Sequence, residues 1–185
     1  MKKLIIILLI SFSFLAYGKE LNEIENLEIY VKESVLLNNG KRDSEYKLSY
    51  ISPDFIRKDI LKPDLNKGEV YIYNGEKKIV YLPFFDQITE EKLEKNENEI
   101  LEIINFILIK EKEDEEFRKS YYSKKIKEIS LNDGTRISID KLKNIDCYFL
   151  PTVFTIYDGD IVIARLQVEK YKINLNVTVE ELSKL

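Results

Sequence analysis

The side chains that could do chemistry in this 185-residue chain are almost all carboxylates. The sequence contains no histidine and one cysteine, Cys147, which excludes Ser-His-Asp and Cys-His nucleophiles, histidine-containing zinc sites, thiolate clusters and internal disulfides. Chance alone brings some of the 33 acidic residues together, and the pair Asp158 and Asp160 lacks the alternating oxygens and closing glutamate of a calcium loop. We therefore expect no enzymatic activity, no bound metal ion and no cofactor.

The charge balance argues against a nucleic-acid partner. The chain has 29 basic and 33 acidic residues, which gives a formal net charge of −4 at pH 7. Short basic runs such as Lys124-Lys125 form no continuous stripe. Because affinity for nucleic acid comes mainly from neutralised phosphates, we expect no nucleic acid to bind.

The first 18 residues have the three parts of a secretory signal. Met1-Lys2-Lys3 is a positive start, residues 4–15 form an apolar run, and Ala16-Tyr17-Gly18 supplies small residues two positions apart, which predicts cleavage after Gly18. The apolar run is shorter than the roughly 20 residues that span a bilayer. No cysteine stands at the cleavage point, so we expect no lipid anchor, and the lone cysteine fits a small buried residue. Residues 19–185 are long enough for a single domain with its own core.

The mature sequence predicts an antiparallel sheet of about nine strands joined mostly by hairpins. In the clearest strand Tyr46, Leu48 and Tyr50 alternate with polar residues, which is typical of a sheet with one apolar face. Four strong hairpin signals separate such runs, at Asn39-Gly40, Asn74-Gly75, Asp133-Gly134 and Asp158-Gly159. The predicted strands are 27–37, 45–51, 55–61, 69–73, 78–82, 126–131, 135–142, 152–157 and 160–172. So many strands should form a large meander that curls or closes.

One segment has helical spacing instead. Thr89 can cap a helix, Glu90 and Glu91 suit a first turn, and the pattern extends to about residue 119. Its apolar centre, residues 100–109, is too short to cross a bilayer. We expect this helix to lie against or inside the curved sheet.

Aromatic residues are concentrated between residues 46 and 85. They favour strands and cores in any protein, which is one interpretation of the cluster. The other is that a wide curved sheet leaves an apolar cavity that its own side chains do not fill. Such a cavity would hold an acyl chain by burial, which contributes about 0.8 kcal/mol per CH₂ group.

The order of features over residues 45–88 resembles a known family. The stretch Tyr-Lys-Leu-Ser-Tyr-Ile-Ser-Pro-Asp-Phe-Ile-Arg (46–57) precedes Lys62-Pro63-Asp64, Gly68, Tyr71-Ile72-Tyr73-Asn74-Gly75 and Tyr81-Leu82-Pro83-Phe84-Phe85-Asp86-Gln87. Near the end of the chain, Asp158-Gly159-Asp160 and Tyr171-Lys172-Ile173-Asn174 look like a closing hairpin and a "Tyr-x-x-Asn" ending. This pattern is similar to that of the outer-membrane lipoprotein carrier family (LolA-type) and its relatives among lipoprotein-sorting proteins.

The resemblance implies a mainly β fold with α-helices, in which a large curved antiparallel sheet forms a half-open β-barrel covered by one or more helices. It also implies a hydrophobic cavity, no enzymatic activity, and a ligand that is the acyl chains of a lipoprotein or another lipid. The protein would then work in the periplasm as a monomer, between an inner-membrane exporter and an outer-membrane receptor.

The candidate ligand-binding residues are those aromatic and branched side chains that could form the wall or the lid of such a cavity. They are Tyr46, Leu48, Tyr50, Phe55, Val70, Ile72, Tyr81, Phe84, Phe85, Phe106, Phe154 and Ile156. The choice depends on which face each strand presents, because a shift of one residue reverses the whole set.

Two other functions remain open at this point. The same fold could serve as an envelope sensor or adaptor that binds lipoproteins or a membrane protein without transporting them. A hydrolase that uses buried carboxylates is the more remote alternative.

Overall fold

The computed structural model describes residues 18–37, 40–93, 99–126, 128–131 and 134–185, without the side chains of 99–102. This part of the chain forms ten strands, three α-helices and three short 3₁₀ turns. The strands are β1 (Asn26–Leu37), β2 (Gly40–Ile51), β3 (Phe55–Lys62), β4 (Val70–Asn74), β5 (Lys77–Leu82), β6 (Gln87–Lys92), β7 (Glu128–Ser130), β8 (Thr135–Ile145), β9 (Tyr148–Asp158) and β10 (Ile161–Ile173). The helices are α1 (Glu99–Glu113), α2 (Glu115–Tyr122) and α3 (Val179–Leu182), and the 3₁₀ turns are Leu21–Glu23, Asp64–Asn66 and Pro83–Phe85.

All ten strands belong to one antiparallel sheet in the order β6-β5-β4-β3-β2-β1-β10-β9-β8-β7. The predicted fold class, an antiparallel sheet covered by helices, is confirmed, but the sheet neither closes nor curls strongly. Its two edge strands, β6 and β7, are only six and three residues long. Short edge strands, with the exposed charges Glu90, Glu91 and Lys92 on β6, are a common means of keeping a sheet edge from pairing.

The strand order explains where the helices lie. The chain runs outward from β1 to the edge strand β6, and it resumes at the opposite edge with β7 before returning inward to pair β10 with β1. A sheet of ten strands is about 43 Å wide at its usual strand spacing, so the connection between β6 and β7 must cross one face. This connection contains α1, whose 15 residues extend about 22 Å, followed by α2.

The predicted start of the helix at Thr89 is wrong. Residues 87–92 form strand β6, in which Thr89 pairs with Val80 and Ile88 pairs with Tyr81 of β5. The acidic run after Thr89 imitates the first turn of a helix, but the ladder with β5 decides the local structure. The helix described here begins only at Glu99, and it is divided at Asp114, whose side chain caps α2 by accepting a hydrogen bond from the Phe117 amide (2.9 Å).

The other predicted strands agree with the structure, whereas the predicted burial of one residue does not. Gly75 and Gly159 occupy hairpin turns with φ of 60° and 57°, whereas Asn39, Asp133 and residues 1–17 of the predicted signal lie outside the described residues. The exception is Cys147, which is exposed rather than buried. It lies with Asp146 in the turn between β8 and β9, and both residues have positive φ although neither is glycine.

The sheet has two packed faces. The inner face carries Tyr46 and Leu48 of β2. It is covered by α1, and the two together form the larger hydrophobic core. The outer face carries a smaller cluster of Phe55, Val70 and Ile72, against which Val179 and Leu182 of α3 pack. No helix in the described part of the chain is long and apolar enough to span a membrane.

Arg57 fastens the C-terminal helix to the outer face. Its guanidinium donates to the carbonyl oxygen of Leu182 (2.9 Å) and to that of Lys184, and it also pairs with Asp59 (2.8 Å). We expect Arg57→Met to lower the free energy of unfolding by about 1–3 kcal/mol, because charge-assisted hydrogen bonds in a partly buried site are lost. Amide exchange of residues 179–185 should accelerate.

The matched control is Arg165→Met, since Arg165 is an exposed arginine of β10. It should leave both the stability and the exchange rates of residues 179–185 unchanged. Unchanged exchange in Arg57→Met would mean that α3 is held by its apolar contacts alone.

Candidate functional site

An apolar cavity of about 100 Å³ lies between the inner face of the sheet and α1. Four strands, β1, β2, β9 and β10, supply its floor, which includes Tyr171 near the end of β10, and α1 supplies its roof. The floor residues named by strand are Leu27, Ile29 and Val31 of β1, Tyr46 and Leu48 of β2, Leu150, Pro151, Phe154 and Ile156 of β9, and Leu166 and Val168 of β10.

The floor follows from period-two alternation across paired strands. Ile29 pairs with Leu48, and Val31 pairs with Tyr46, so these four side chains point to the same face. Val31 also pairs with Val168 of β10, which extends the apolar surface past β1. The central strands of the sheet therefore build one continuous apolar surface.

The roof is the apolar stripe of α1. Ile103 and Ile107 are 9% and 8% exposed, and Ile104 and Leu108 line the cavity beside them. Spacings of one, three and four residues place all four on one side of a helix. Ile109 falls outside this stripe and is 52% exposed.

The N-terminal segment before β1 also lines the cavity, with Leu21 and Ile24. Asn174 anchors this segment, since its side chain accepts from the Glu25 amide (2.9 Å) and donates to the Glu23 carbonyl oxygen (3.0 Å). The sequence analysis did not select these two apolar residues, because an isolated 3₁₀ turn has no periodicity to reveal which side chains are buried.

The polar groups that border the cavity are neutral phenols. Burial raises the pKa of Tyr46, Tyr121 and Tyr171 well above the ordinary value for tyrosine. The Tyr121 hydroxyl donates to the carbonyl oxygen of Phe149 (2.9 Å), and the Tyr171 hydroxyl donates to that of Pro151. Such walls offer apolar contact, and the described residues include no cluster of three or more metal-ligating side chains. The site is therefore suited to bind a hydrocarbon.

A buried carboxylate joins α1 to α2. Glu111 of α1 is fully buried, and its Oε1 accepts a hydrogen bond from the Tyr122 hydroxyl of α2 (2.9 Å). Oε2 has no hydrogen-bond partner among the described residues. Burial and this carboxylate together raise the pKa of Tyr122.

Tyr122→Phe should therefore destabilise the fold by about 2–3 kcal/mol, because it leaves the Glu111 carboxylate buried without its donor. Urea unfolding measures this loss. In a Glu111→Met background the same substitution should cost less than about 0.5 kcal/mol, since no carboxylate then needs the hydroxyl. Equal costs in the two backgrounds would show that the hydrogen bond does not couple the helices.

The structure brings four of the predicted binding residues together at the cavity. Tyr46 and Leu48 of β2 and Phe154 and Ile156 of β9 all line it. Tyr50 is buried on the same face, beyond the cavity, and its hydroxyl donates to the Asn105 side chain of α1 (3.2 Å). These five residues share the inner face, and their contact with a ligand stays a prediction.

Four other predicted residues lie on the outer face. Phe55, Val70, Ile72 and Tyr81 belong to the small cluster beneath α3. The reason is the turn of residues 52–54, which pairs Tyr50 with Ile56 and so directs Phe55 to the opposite side from Tyr50. From β3 to β5 the inner-face residues are instead those one position away, including Tyr71, Tyr73 and Val80.

The remaining three predicted residues lie away from the cavity. Phe84 and Phe85 stand in the 3₁₀ turn between β5 and β6, stacked edge to face and 82% and 68% exposed. Phe106 lies on α1 but packs edge to face against Phe117 of α2, 6.2 Å between ring centroids. Phe106 therefore stabilises the helix pair, whereas Tyr121 and Tyr171, which the sequence analysis did not select, line the cavity.

No family model and no curated protein matches this sequence. Among solved structures, the chain is similar to a LolA superfamily protein from Nitrosomonas europaea, with a TM-score of 0.61 and 11% identity over 92% of this chain and 97% of that one. It is also similar to a DUF1329 family protein from Desulfovibrio piger, with a TM-score of 0.56 and 8% identity over 85% of this chain and 89% of that one. A putative outer membrane lipoprotein-sorting protein domain from Vibrio parahaemolyticus matches with a TM-score of 0.55 and 6% identity, covering 94% of both chains. At these identities the comparisons establish a LolA-like fold.

Proposed function

We propose that the protein is a periplasmic carrier that binds the acyl chains of lipoproteins, or another lipid, between the inner face and α1, for transfer to the outer membrane. The observation that carries this proposal is a cavity with apolar walls and neutral phenols whose roof is one amphipathic helix. The likeness in fold to a LolA superfamily protein and to a lipoprotein-sorting domain agrees with it.

The size of the cavity determines how such a carrier would work. A volume of about 100 Å³ is less than the roughly 150 Å³ of an engineered cavity that accepts benzene. An acyl chain can therefore enter only if α1 moves off the sheet. We propose that α1 is a lid that exchanges with the ligand for the same apolar floor.

The acyl chain and the lid helix α1 gain comparable free energies when they bury their apolar groups on the floor of the cavity. A 16-carbon chain gains about 12 kcal/mol when it is fully buried, at about 0.8 kcal/mol per CH₂. Exposing the four apolar side chains of the lid costs about 6–12 kcal/mol. An exchange this close to balance is reversible, as a carrier that must load and unload requires.

The other parts of the proposal concern the chain's environment. We propose that the signal is cleaved after Gly18 and that residues 19–185 act as a single monomeric domain in the periplasm. An inner-membrane exporter would supply the ligand and an outer-membrane receptor would accept it. No step of this cycle needs a catalytic residue.

Binding of a triacylated cysteine peptide, compared with the same peptide without acyl chains, tests the proposal directly. Only the acylated peptide should bind, and lipid or lipoprotein should co-purify with the protein from its own envelope fraction and be identified by mass spectrometry. Finding no bound lipid, together with no rescue of lipoprotein release from spheroplasts, would contradict carriage. Acyl binding without such rescue would favour a sensor or adaptor.

A further inference from the structure

Lys58 is a half-buried cation on the inner face of the sheet, beside the cavity. In β3 it pairs across to Leu48 of β2, which lines the cavity, and to Tyr71 of β4. Its ammonium makes no hydrogen bond or ion pair with any residue that the structure describes, and it lies 3.9 Å from the centroid of the Tyr46 ring. Burial lowers the pKa of Lys58, which reflects the cost of keeping this charge away from water.

The Tyr46 side chain connects this cation to the cavity. Tyr46 lines the cavity and is completely buried. Its ring therefore lies between the ammonium and the apolar floor of the cavity and contacts both. The Tyr46 hydroxyl is buried without a hydrogen-bond partner in the described part of the chain. A half-buried cation thus lies beside a buried hydroxyl whose hydrogen-bonding capacity is unused, which is unusual for a buried polar group.

The carboxylates in this region accept hydrogen bonds from groups other than Lys58. Glu33 of β1 accepts a hydrogen bond from the Ser44 hydroxyl (3.0 Å), and Glu69, just before β4, accepts from the Tyr71 hydroxyl (2.8 Å). Neither forms an ion pair with Lys58. Burial is the main cause of the lowered pKa of Lys58; the Glu33 carboxylate partly offsets it, and Arg42, exposed on β2 in the same region, adds to it. An anionic oxygen placed near Lys58 and the Tyr46 hydroxyl would satisfy both groups.

We propose that Lys58 and the Tyr46 hydroxyl bind the anionic headgroup of an amphiphile whose acyl chain occupies the cavity. Carboxylate and phosphate headgroups both fit, because each has an anionic oxygen that can accept hydrogen bonds from the ammonium and the phenol. This inference rests on the proposed carrier function and narrows its ligand. The acyl chains of a lipoprotein are attached through uncharged ester and amide groups, so the site favours an anionic lipid.

Ligands of matched chain length test the proposal. Hexadecanoate and hexadecanol would each compete with a fluorescent acyl probe for the full mature chain. The wild type should bind hexadecanoate at least about tenfold more tightly, because only the carboxylate carries a negative charge that can pair with the ammonium. Lys58→Met should abolish this preference and leave hexadecanol affinity unchanged, whereas Lys58→Arg, which keeps the charge, should retain it.

Lys170→Met is the control, because Lys170 also lies near a tyrosine ring, that of Tyr30, but in the neighbouring β1–β10 pair on the outer face. It should keep the full carboxylate preference. Lysophosphatidate compared with monoacylglycerol repeats the test for a phosphate headgroup.

The outcomes separate this inference from the carrier proposal. Equal affinities of the wild type for hexadecanoate and hexadecanol, or a preference that survives in Lys58→Met, would overturn the headgroup site while leaving the carrier intact. If acetate or inorganic phosphate alone displaced the probe, the site would be one for free anions and the lipid assignment would fail. If neither long-chain ligand competed, both proposals would fail.

Discussion

Replacing Ile107 with aspartate should detach α1 from the sheet. Ile107 is 8% exposed in the roof of the cavity, and an aspartate there would be a buried charge without a partner. We expect the free energy of unfolding to fall by about 3–5 kcal/mol. If the helix lifts away instead of the whole fold opening, the apolar floor becomes accessible, so binding of an apolar dye such as ANS should increase strongly and the α1 amides should exchange faster.

The same helix provides the control for this prediction. Ile109 lies two residues further along and is 52% exposed, so Ile109→Asp should change the stability by no more than about 0.5 kcal/mol. Dye binding should then stay at the wild-type level. Equal effects of the two substitutions would show that α1 has no buried stripe facing the sheet and would contradict its role as a lid.

Filling the cavity from its floor should block the ligand. Val168 of β10 lines the cavity, and Val168→Phe would place an aromatic ring in space that an acyl chain must use. We expect the affinity for acyl chains to fall by more than about tenfold, since several buried CH₂ groups lose their place. The cost in stability should stay within about 1–3 kcal/mol, the usual range for overpacking, and the existing cavity takes up part of the added volume. Competition with a fluorescent acyl probe and urea unfolding measure the two effects.

Val153 of β9 supplies the matched substitution. It is half-buried and directly precedes Phe154, which lines the cavity, so alternation directs Val153 to the outer face. Val153→Phe should leave acyl affinity unchanged. A similar loss of affinity in both variants would indicate a general disturbance of the sheet, and unchanged affinity in Val168→Phe would place the ligand elsewhere.

Strands with strong alternation could be predicted from the sequence together with their faces. Tyr46, Leu48 and Tyr50 lie on the inner face because each is separated from the next by a polar residue in a long central strand. Ala164, Leu166 and Val168 are buried in β10 for the same reason. The sequence also indicated that the isoleucine-rich segment would lie on the sheet, since a ten-residue apolar stretch in a helix has no other surface to cover.

The faces of β3 to β5 could not be predicted, because they depend on the number of residues in each turn. Phe55 and Tyr50 look equivalent in composition, yet the turn of residues 52–54 places them on opposite faces. A sequence does not reveal how many residues a turn leaves unpaired unless a pattern such as Asn-Gly marks it.

Strand β6 was missed for a different reason. Its residues Gln87–Lys92 are mostly polar and exposed, so no alternation marks them as a strand. Their structure comes from pairing with β5, which is a contact made through the backbone and therefore invisible to side-chain patterns. The cavity's volume was equally unpredictable, since it depends on how closely the side chains of α1 and four strands pack.

The most direct test of a displaceable lid over an acyl-binding floor uses a single tryptophan, because the natural chain contains none. Phe154→Trp places the reporter in the cavity wall, and Tyr81→Trp places it in the cluster on the outer face. A fatty acid with bromine atoms on its chain quenches a tryptophan that it touches. We predict strong, saturable quenching of the tryptophan at position 154 and little at position 81. Equal quenching at both positions, stronger quenching at position 81, or none at position 154 would contradict the account.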